Sequence, residues 1–409
     1  MRQSLLVFCG LLMAGSANGD PYPAMTGISA AANSANVAGN NPAAMTRFDS
    51  RNTSVVLLGF FSDNTWEGQL GATGSTFNSE DSSTTIIPSS NIVIPLKNDW
   101  FFGFTILGSG SSDDYTDGWP GRYLIEEYSL VFLSAYPSLA KKVNDKLSLG
   151  ASLALTYTSY EQVKAVPNVD PGFGDGRLDV DADGGTVGFS LSSLYEFSEQ
   201  TRIGLVYRSK LDAELEGDAK FSDLGPTTES LLDAAGLLDA SVKIDSRTPQ
   251  AINVGLYHEF ADGGAVVFDA VWMDFSEFIL SEVYVNGDQL IETSVNYDDI
   301  YAFSLGYSRP VSDRWKIGFG AMYVDDMISD DQRTLTLRLD SMWVVGVGVE
   351  WQWTPTRAVS ATLNYLQLGD APLMSPSIPG IGAVTGRYTD RRTIYLELGL
   401  NLGTGPASR

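Results

Sequence analysis

The chain has 409 residues, and its 26 Lys and Arg stand against 50 Asp and Glu, for a formal charge of −24. That balance excludes a basic, phosphate-binding surface, and with it nucleic acid as a partner. The single cysteine, Cys9, excludes a disulfide framework, and the length fits either two or three domains or one large barrel.

The N-terminus reads as a secretory signal over residues 1–19. Arg2 supplies a positive charge, Leu5 to Ala14 a short apolar core, and Ala17-Asn18-Gly19 a small-residue cleavage site before Asp20. The apolar run is too short to span a bilayer, and Cys9 lies inside it. Residues 20–50 follow as a second unit. Its centre, Ala24 to Phe48, is small, rich in alanine and glycine and almost uncharged. It has no apolar stripe of helical period and too little charge for a disordered tail. Such a segment is expected to be packed inside something larger.

Residues 51–403 carry the recurring pattern, alternation of period two. From Lys146, Leu147, Leu149, Ala151, Leu153, Leu155 and Tyr157 form one face, and Ser148, Gly150, Ser152, Ala154 and Thr156 the other. Trp343, Val345, Val347, Val349, Trp351 and Trp353 alternate with Gly346, Gly348, Glu350 and Gln352. The spacing predicts fourteen strands, near 53–62, 86–96, 99–107, 122–143, 145–162, 178–198, 201–220, 242–260, 264–280, 293–309, 313–326, 335–353, 356–368 and 392–402. Tight turns alternate with longer links near 63–85, 108–121, 164–177, 221–241, 281–292, 327–337 and 369–390. Alternation also fits a soluble sandwich. Strand length, aromatic residues at the ends of apolar faces and alternating connection lengths favour a 14-stranded antiparallel transmembrane β-barrel. The lumen of such a barrel is too wide for its side chains to fill, so the small-residue segment 20–50 is expected inside it as a plug. Residues 404–409 form a short tail.

Four stretches carry a resemblance. They are Asn41-Pro42-Ala43 with Met45; Asp117 to Tyr123 followed by Tyr136 to Gly150; Thr201 to Phe221; and Phe268 to Phe278. In order and spacing they resemble the FadL/TodX family of outer-membrane transporters for long-chain fatty acids and aromatic hydrocarbons. The resemblance implies a hatch at Asn41, Pro42, Ala43 and Met45. It also implies a kinked third strand that opens a side passage, for which Gly108 and Gly110 are the candidates. Leu107-Gly108-Ser109-Gly110 stands where members often carry Pro-Phe-Gly.

The expected function is passive uptake of apolar small molecules through the outer membrane by a monomer that contacts outer-membrane lipid and lipopolysaccharide. The alternatives are a structural or adhesive surface barrel, a general porin and, more weakly, a lipid-modifying barrel enzyme. Leu231, Leu232 and Leu238 share one face of an expected loop helix, as a capture groove or as loop packing. Arg208 and Lys210 fall on the expected lumenal phase, to meet a carboxylate head group or, more simply, the acids Asp212, Glu214 and Glu216. Arg122 has the same two readings. Asp179, Asp181 and Asp183 open like a calcium loop, but Ser190 stands where the closing glutamate belongs, so a lumenal acidic ladder is expected instead. His258 is the only histidine, and no nucleophile motif accompanies it. No enzyme, metal or cofactor is expected.

Overall fold

The computed structural model describes residues 21–71, 74–114, 119, 121–286, 288–291, 297–330, 333, 340–374 and 382–403. The expected signal and C-terminal tail lie outside the described residues. Among the described residues, nineteen hydrogen-bonded stretches form one sheet, and five pairs of them continue one another across a local break, so fourteen strands cross.

The strands are β1 (Asn52–Leu70), β2 (Ser75–Pro95), β3 (Trp100–Asp114), β4 (Glu127–Lys142), β5 (Leu147–Val166) and β6 (Gly176–Glu196). There follow β7 (Thr201–Arg208, then Leu211–Ser222), β8 (Asp239–Thr248, then Ala251–Glu259), β9 (Ala265–Met273, then Ile279–Val285) and β10 (Asp288–Ile291, then Ile300–Pro310). The last are β11 (Trp315–Val324), β12 (Met342–Thr354), β13 (Arg357–Leu368, then Ala371–Met374) and β14 (Val384–Leu402). Neighbours pair antiparallel, and β1 pairs with β14 from Thr53↔Leu402 to Leu70↔Val384, which closes the barrel.

Alternation sets which residues meet lipid. On β5 Leu149, Leu153, Leu155 and Tyr157 are exposed outward, while Ser148, Ser152, Thr156 and Thr158 are buried inward. Aromatic residues mark both ends of the apolar belt. Trp315 pairs with Trp351 across β11 and β12 near the short turns, and Tyr323 pairs with Trp343 at the other end. About 26 Å of strand separates the two pairs, commensurate with an apolar belt about 25 Å tall. Short turns gather at the end that carries residues 52 and 402 and the long connections at the other, which places the turn end toward the periplasm.

Two expectations are corrected. The link expected near 63–85 is a continuous hairpin, β1 and β2 running to Leu70 and Ser75 in unbroken register. Its polar residues stand beyond the lipid belt, where no apolar face is required, so the alternation signal vanishes while the ladder continues. The acids expected in the lumen face outward instead. On β6 the inward phase holds Ser190, Ser192, Leu194 and Ala182, so Asp179, Asp181 and Asp183 take the outward phase. On β7 the inward row runs Arg202, Gly204, Val206 and then, past the break at Ser209-Lys210, Leu215 and Ala219. A one-residue slip flips every following side chain, which turns Asp212, Glu214 and Glu216 outward.

Leu153→Arg, in the middle of the lipid-facing row, is expected to cost about 2–4 kcal/mol of barrel stability. A denaturant titration of folding into lipid vesicles measures it. Glu216→Arg, beyond the belt, is expected to leave that stability nearly unchanged.

Candidate functional site

Residues 21–48 lie inside the barrel, all of them buried except the half-buried Asn33. A backbone crossing a lumen carries amides and carbonyls that need partners. The wall supplies them from inward-facing side chains. The amides of Gly27 and Ser29 donate to the Asp269 carboxylate at 2.6 and 3.0 Å. The amide of Ala24 donates to Asn364 Oδ1 at 2.7 Å and that of Ala43 to Ser192 Oγ at 3.0 Å. In the other direction Arg202 donates to the carbonyls of Ala30 and Ala31, and Ser138 to that of Ala38 at 2.6 Å. Arg202 also lies over the Tyr257 ring.

Asn41 ties the two halves of the plug together. Its Oδ1 accepts from the Ala43 amide and caps the 3-10 turn Pro42–Arg47, with Pro42 at the first position where no N–H is needed. Its Nδ2 donates to the Ser29 carbonyl at 2.6 Å and to the Ser193 carbonyl at 3.3 Å. Arg47 closes the turn with a 2.7 Å ion pair to Glu196, both side chains nearly buried. Removing one partner of such a pair typically costs about 3–5 kcal/mol.

The wall makes room with glycine. A Cβ on Gly103 would strike Met45 and Ala38, one on Gly150 would strike Pro42 and the Ala43 amide, and one on Gly204 would strike Ser29 and Asn41. Gly318, Gly320 and Gly348 meet the carbonyls of Pro21 and Pro23 in the same way. Asn41, Pro42, Ala43 and Met45 thus sit where the plug closely approaches the wall glycines, as Pro21 and Ser29 also do.

Above the plug the lumen turns apolar. Ala24 and Met25 form its floor, and Leu58, Phe60, Met273, Met322, Val344 and Leu366 are among its walls. Phe275, Phe278 and Tyr297 stack over one side. Met327 and Ile328 of the β11–β12 loop bury into the same cluster. Arg333 holds that loop, donating to Asp326 at 2.8 Å and also pairing with Asp330. Burial raises the Asp326 carboxyl while Arg333 opposes the rise. Below the plug, a polar cavity of about 390 Å³ opens against Asn33, Ser34 and Ala35, with Arg202, Glu259 and Glu350 in its lining.

The wall has a seam beside this chamber. β2 and β3 pair only from Pro95↔Phe101 to Ser89↔Leu107. Beyond that point β2 pairs with β1 alone and β3, through Gly108 and Gly110 to Asp114, with β4 alone. Pro88 has no amide to donate there, and Gly110 runs close against the Leu130 and Val131 backbone. Ile87 and Leu107, at the base of the seam, belong to the apolar chamber.

The other expected site residues scatter. Arg208 is inward and donates to the Asn40 carbonyl of the plug at 3.0 Å, whereas Lys210 is exposed at the β7 break and reaches Asp212 at 3.5 Å. Arg122 pairs with Asp175 at 2.7 Å and donates to Tyr123, tying two loops. Leu231 and Leu232 lie on the helix Pro226–Ala234, the first exposed, the second half-buried. Leu238 lies beyond its end, past Gly236 at φ +69. Asp170 caps that helix from another loop, and hydrogen bonds from Thr227 and Thr228 hold its carboxyl low.

Asp269, Asn364 and Arg202 escaped the sequence reading, although each is a polar residue on an inward row of apolar or small neighbours, a signal open to inspection. Lys164 escaped it too. It takes the inward phase of β5 with Tyr160 and Gln162, opposite Leu178, and among the described residues its side chain makes no ion pair or hydrogen bond.

The chain was compared with known proteins. A family model described as outer membrane protein transport protein (OMPP1/FadL/TodX) matches residues 11–395. The long-chain fatty acid transport protein of Escherichia coli O6:H1 is 21% identical over 375 residues, covering 84% of this chain and 83% of its own. In fold, the chain is similar to a Pseudomonas aeruginosa FadL homologue, with a TM-score of 0.84 at 19% identity over 95% of this chain and 98% of the other. It is also similar to the Ralstonia pickettii toluene transporter TbuX, with a TM-score of 0.63 at 18% identity over 90% and 94%.

Gly150→Val is expected to push the 3-10 turn of the plug off the wall without opening the sheet. In planar bilayers the variant should conduct ions well above the wild-type level while migrating as a folded barrel on unheated gels.

Proposed function

Because this chain belongs to the outer membrane transport family described as OMPP1/FadL/TodX, we propose that it carries apolar small molecules inward by passive diffusion, from the loop end into the chamber and out through the β2–β3 seam. The observation that carries this reading is the position of the seam, whose base residues Ile87 and Leu107 also line the chamber. A solute leaving there passes from one apolar surrounding to another. Leaving downward, it would enter the polar cavity below the plug. At about 0.8 kcal/mol for each CH₂, that route costs a long alkyl chain on the order of 10 kcal/mol. The lateral route avoids the cost, and Gly108 and Gly110 are assigned to it.

Lys164 supports a carboxylate-bearing substrate among the apolar classes. Among the described residues the Lys164 side chain has no ion-pair or hydrogen-bond partner to displace, and a carboxylate would give it a charge-assisted hydrogen bond. Asn41, Pro42, Ala43 and Met45 keep the plug seated, and Arg208 serves the plug rather than a head group. Leu231 stands ready on its loop helix as the outermost apolar contact. Export to the outer membrane by a cleaved signal, action as a monomer and contact with lipopolysaccharide complete the reading. It treats the protein as a carrier without catalysis.

Uptake of labelled palmitate, hexadecane and toluene by cells with and without the protein tests this function. Uptake of all three at the level of cells lacking the protein sinks it. Pro88→Val with Gly108→Val, which restores side chains that favour a ladder, is expected to cut uptake toward that background in a barrel of unchanged or raised thermal stability. Lys164→Gln is expected to raise the half-saturating palmitate concentration about tenfold, the scale of one lost charged hydrogen bond, and to leave toluene uptake unaltered.

A further inference from the structure

The apolar chamber has a roof as well as a floor, and part of the roof comes from a loop. β11 ends at Val324, one residue past Tyr323 of the outer aromatic pair. The chain that follows turns inward rather than out to water. Met327 and Ile328 are buried in the cluster that holds Phe60 of β1, Ile300 of β10, Met342 of β12 and Leu366 of β13. On the neighbouring side the roof is aromatic. Phe275 stacks on Phe278 at 4.5 Å, and Tyr297 meets both edge-on. The two parts join where the amide of Asp298, next to Tyr297, donates to the Met327 carbonyl at 2.9 Å.

The loop is held in place by charge. Asp326 uses both its oxygens. Oδ2 accepts from Arg333 at 2.8 Å, and Oδ1 accepts from the amide of Ile328 at 3.2 Å. The Arg333 side chain is only 1% exposed, pairs also with Asp330, and reaches Asp340, just before β12, at 3.7 Å. One guanidinium thus ties the start of the connection to its end, which suits the planar fork of arginine. Burying such a group carries a desolvation penalty that apolar packing would avoid. What apolar packing does not supply is a fixed direction. Here the direction is passed from Arg333 through Asp326 to the Ile328 amide, and so to the side chain that enters the lumen.

The two side chains so placed differ in stiffness. Ile328 is branched at Cβ and keeps its shape. Met327 is unbranched and repacks around what lies beside it. At a narrow mouth the rigid residue sets the least width and the flexible one fills what is left.

We propose that Ile328 is a specificity-determining residue at the mouth of the chamber, that Arg333 is the positioning residue that aims it through Asp326, and that together they favour slender solutes, single alkyl chains and single rings, over fused rings. This assignment rests on the transport reading above and deepens it by naming the shape of solute that passes. The aim given to Ile328 by Arg333 is measurable without any solute.

Two experiments test the proposal. The first compares uptake of labelled phenanthrene, a fused-ring hydrocarbon, with that of labelled palmitate in the same cells. Ile328→Ala is expected to raise the ratio of phenanthrene to palmitate uptake about tenfold, the lower end of what one methylene commands in a close-fitting apolar pocket. Arg333→Gln, which changes no apolar side chain of the chamber, should raise the ratio as well, and Arg333→Lys, which keeps a charge for Asp326, should bring part of the selectivity back. Gel mobility of unheated samples checks that each barrel is folded. A folded Ile328→Ala barrel with the wild-type ratio overturns the proposal, whatever becomes of the Arg333 variants.

The second experiment measures the aim directly. Cys9, the only cysteine of the chain, lies in the expected signal, so Ile328→Cys introduces a thiol that can be followed alone. On whole cells a membrane-impermeant maleimide should label it slowly, and at least tenfold faster once Arg333→Gln is added. Equal rates in the two backgrounds overturn the role of Arg333. If the unmodified protein carries neither palmitate nor phenanthrene nor toluene, the transport reading fails, while the labelling rates still decide whether Arg333 holds Ile328 in the roof.

Discussion

The constraint on which the structure depends is the need of a backbone inside a barrel for hydrogen-bond partners that are not its own. The closed ladder satisfies the strands except along the β2–β3 seam. It satisfies nothing in the lumen. A chain threaded through that space is too short and too irregular to pair with itself, and its orphaned groups would each cost of order 1–3 kcal/mol if left unmet. The wall answers with single side chains spread over many strands, among them Ser138, Ser192, Arg202, Asp269 and Asn364. The plug in turn supplies small residues, and the wall supplies glycines where the two backbones touch. Neither half of this arrangement works alone. Large plug residues would need a wider barrel, and side chains on the glycine rows would hold the plug away from its hydrogen-bonding partners.

This division of labour explains what could be read from the sequence. Lipid is a uniform solvent on one face, so it imposes apolar residues at every second position, and the row Leu149, Leu153, Leu155 and Tyr157 is visible without a structure. The aromatic ends of β11 and β12 are visible for the same reason. The small-residue segment Ala24 to Phe48 reveals that it is enclosed, because no other environment tolerates so few charges together with so little apolar bulk. Fold and enclosure were therefore legible, down to the strand number.

The site was less legible, for physical reasons that differ from place to place. Above the lipid belt the outer face of a strand meets water, while the inner face packs into an apolar cluster that includes Ala182, Leu215 and Ile244. There the apolar side is the inner one, so a rule that sends polar residues to the lumen puts Asp179, Asp181 and Asp183 on the wrong side. On β7 the phase was read correctly at Arg208 and lost at Lys210, because the break at Ser209-Lys210 shifts the row and leaves no mark in composition. Arg208 does face the lumen, but an arginine there has two possible clients, a substrate or the plug, and the sequence does not reveal the Asn40 carbonyl 3.0 Å away. Asp269 was overlooked because a lone carboxylate between Val267 and Val271 looks like a strand irregularity until the amides it serves, 240 and 242 positions away, are seen beside it.

The chamber poses a last question of packing. Its apolar side chains are already in contact, so a solute can occupy it only if something yields. A wall of valine and isoleucine would resist, since their branched side chains are stiff. This chamber instead includes Met25, Met273, Met322, Met327 and Met342, whose unbranched side chains repack at little cost around guests of different shape. Their flexibility accounts for small adjustments, not for the volume of a whole substrate. The larger space has to come from backbone, and the enclosing backbone is of two kinds. The strands are held by ladders that are interrupted between β2 and β3. The floor, Ala24 and Met25, is held in an unfavourable conformation by three amide hydrogen bonds to two side chains. The side of the wall that has lost its ladder, between β2 and β3, is open without any such rearrangement.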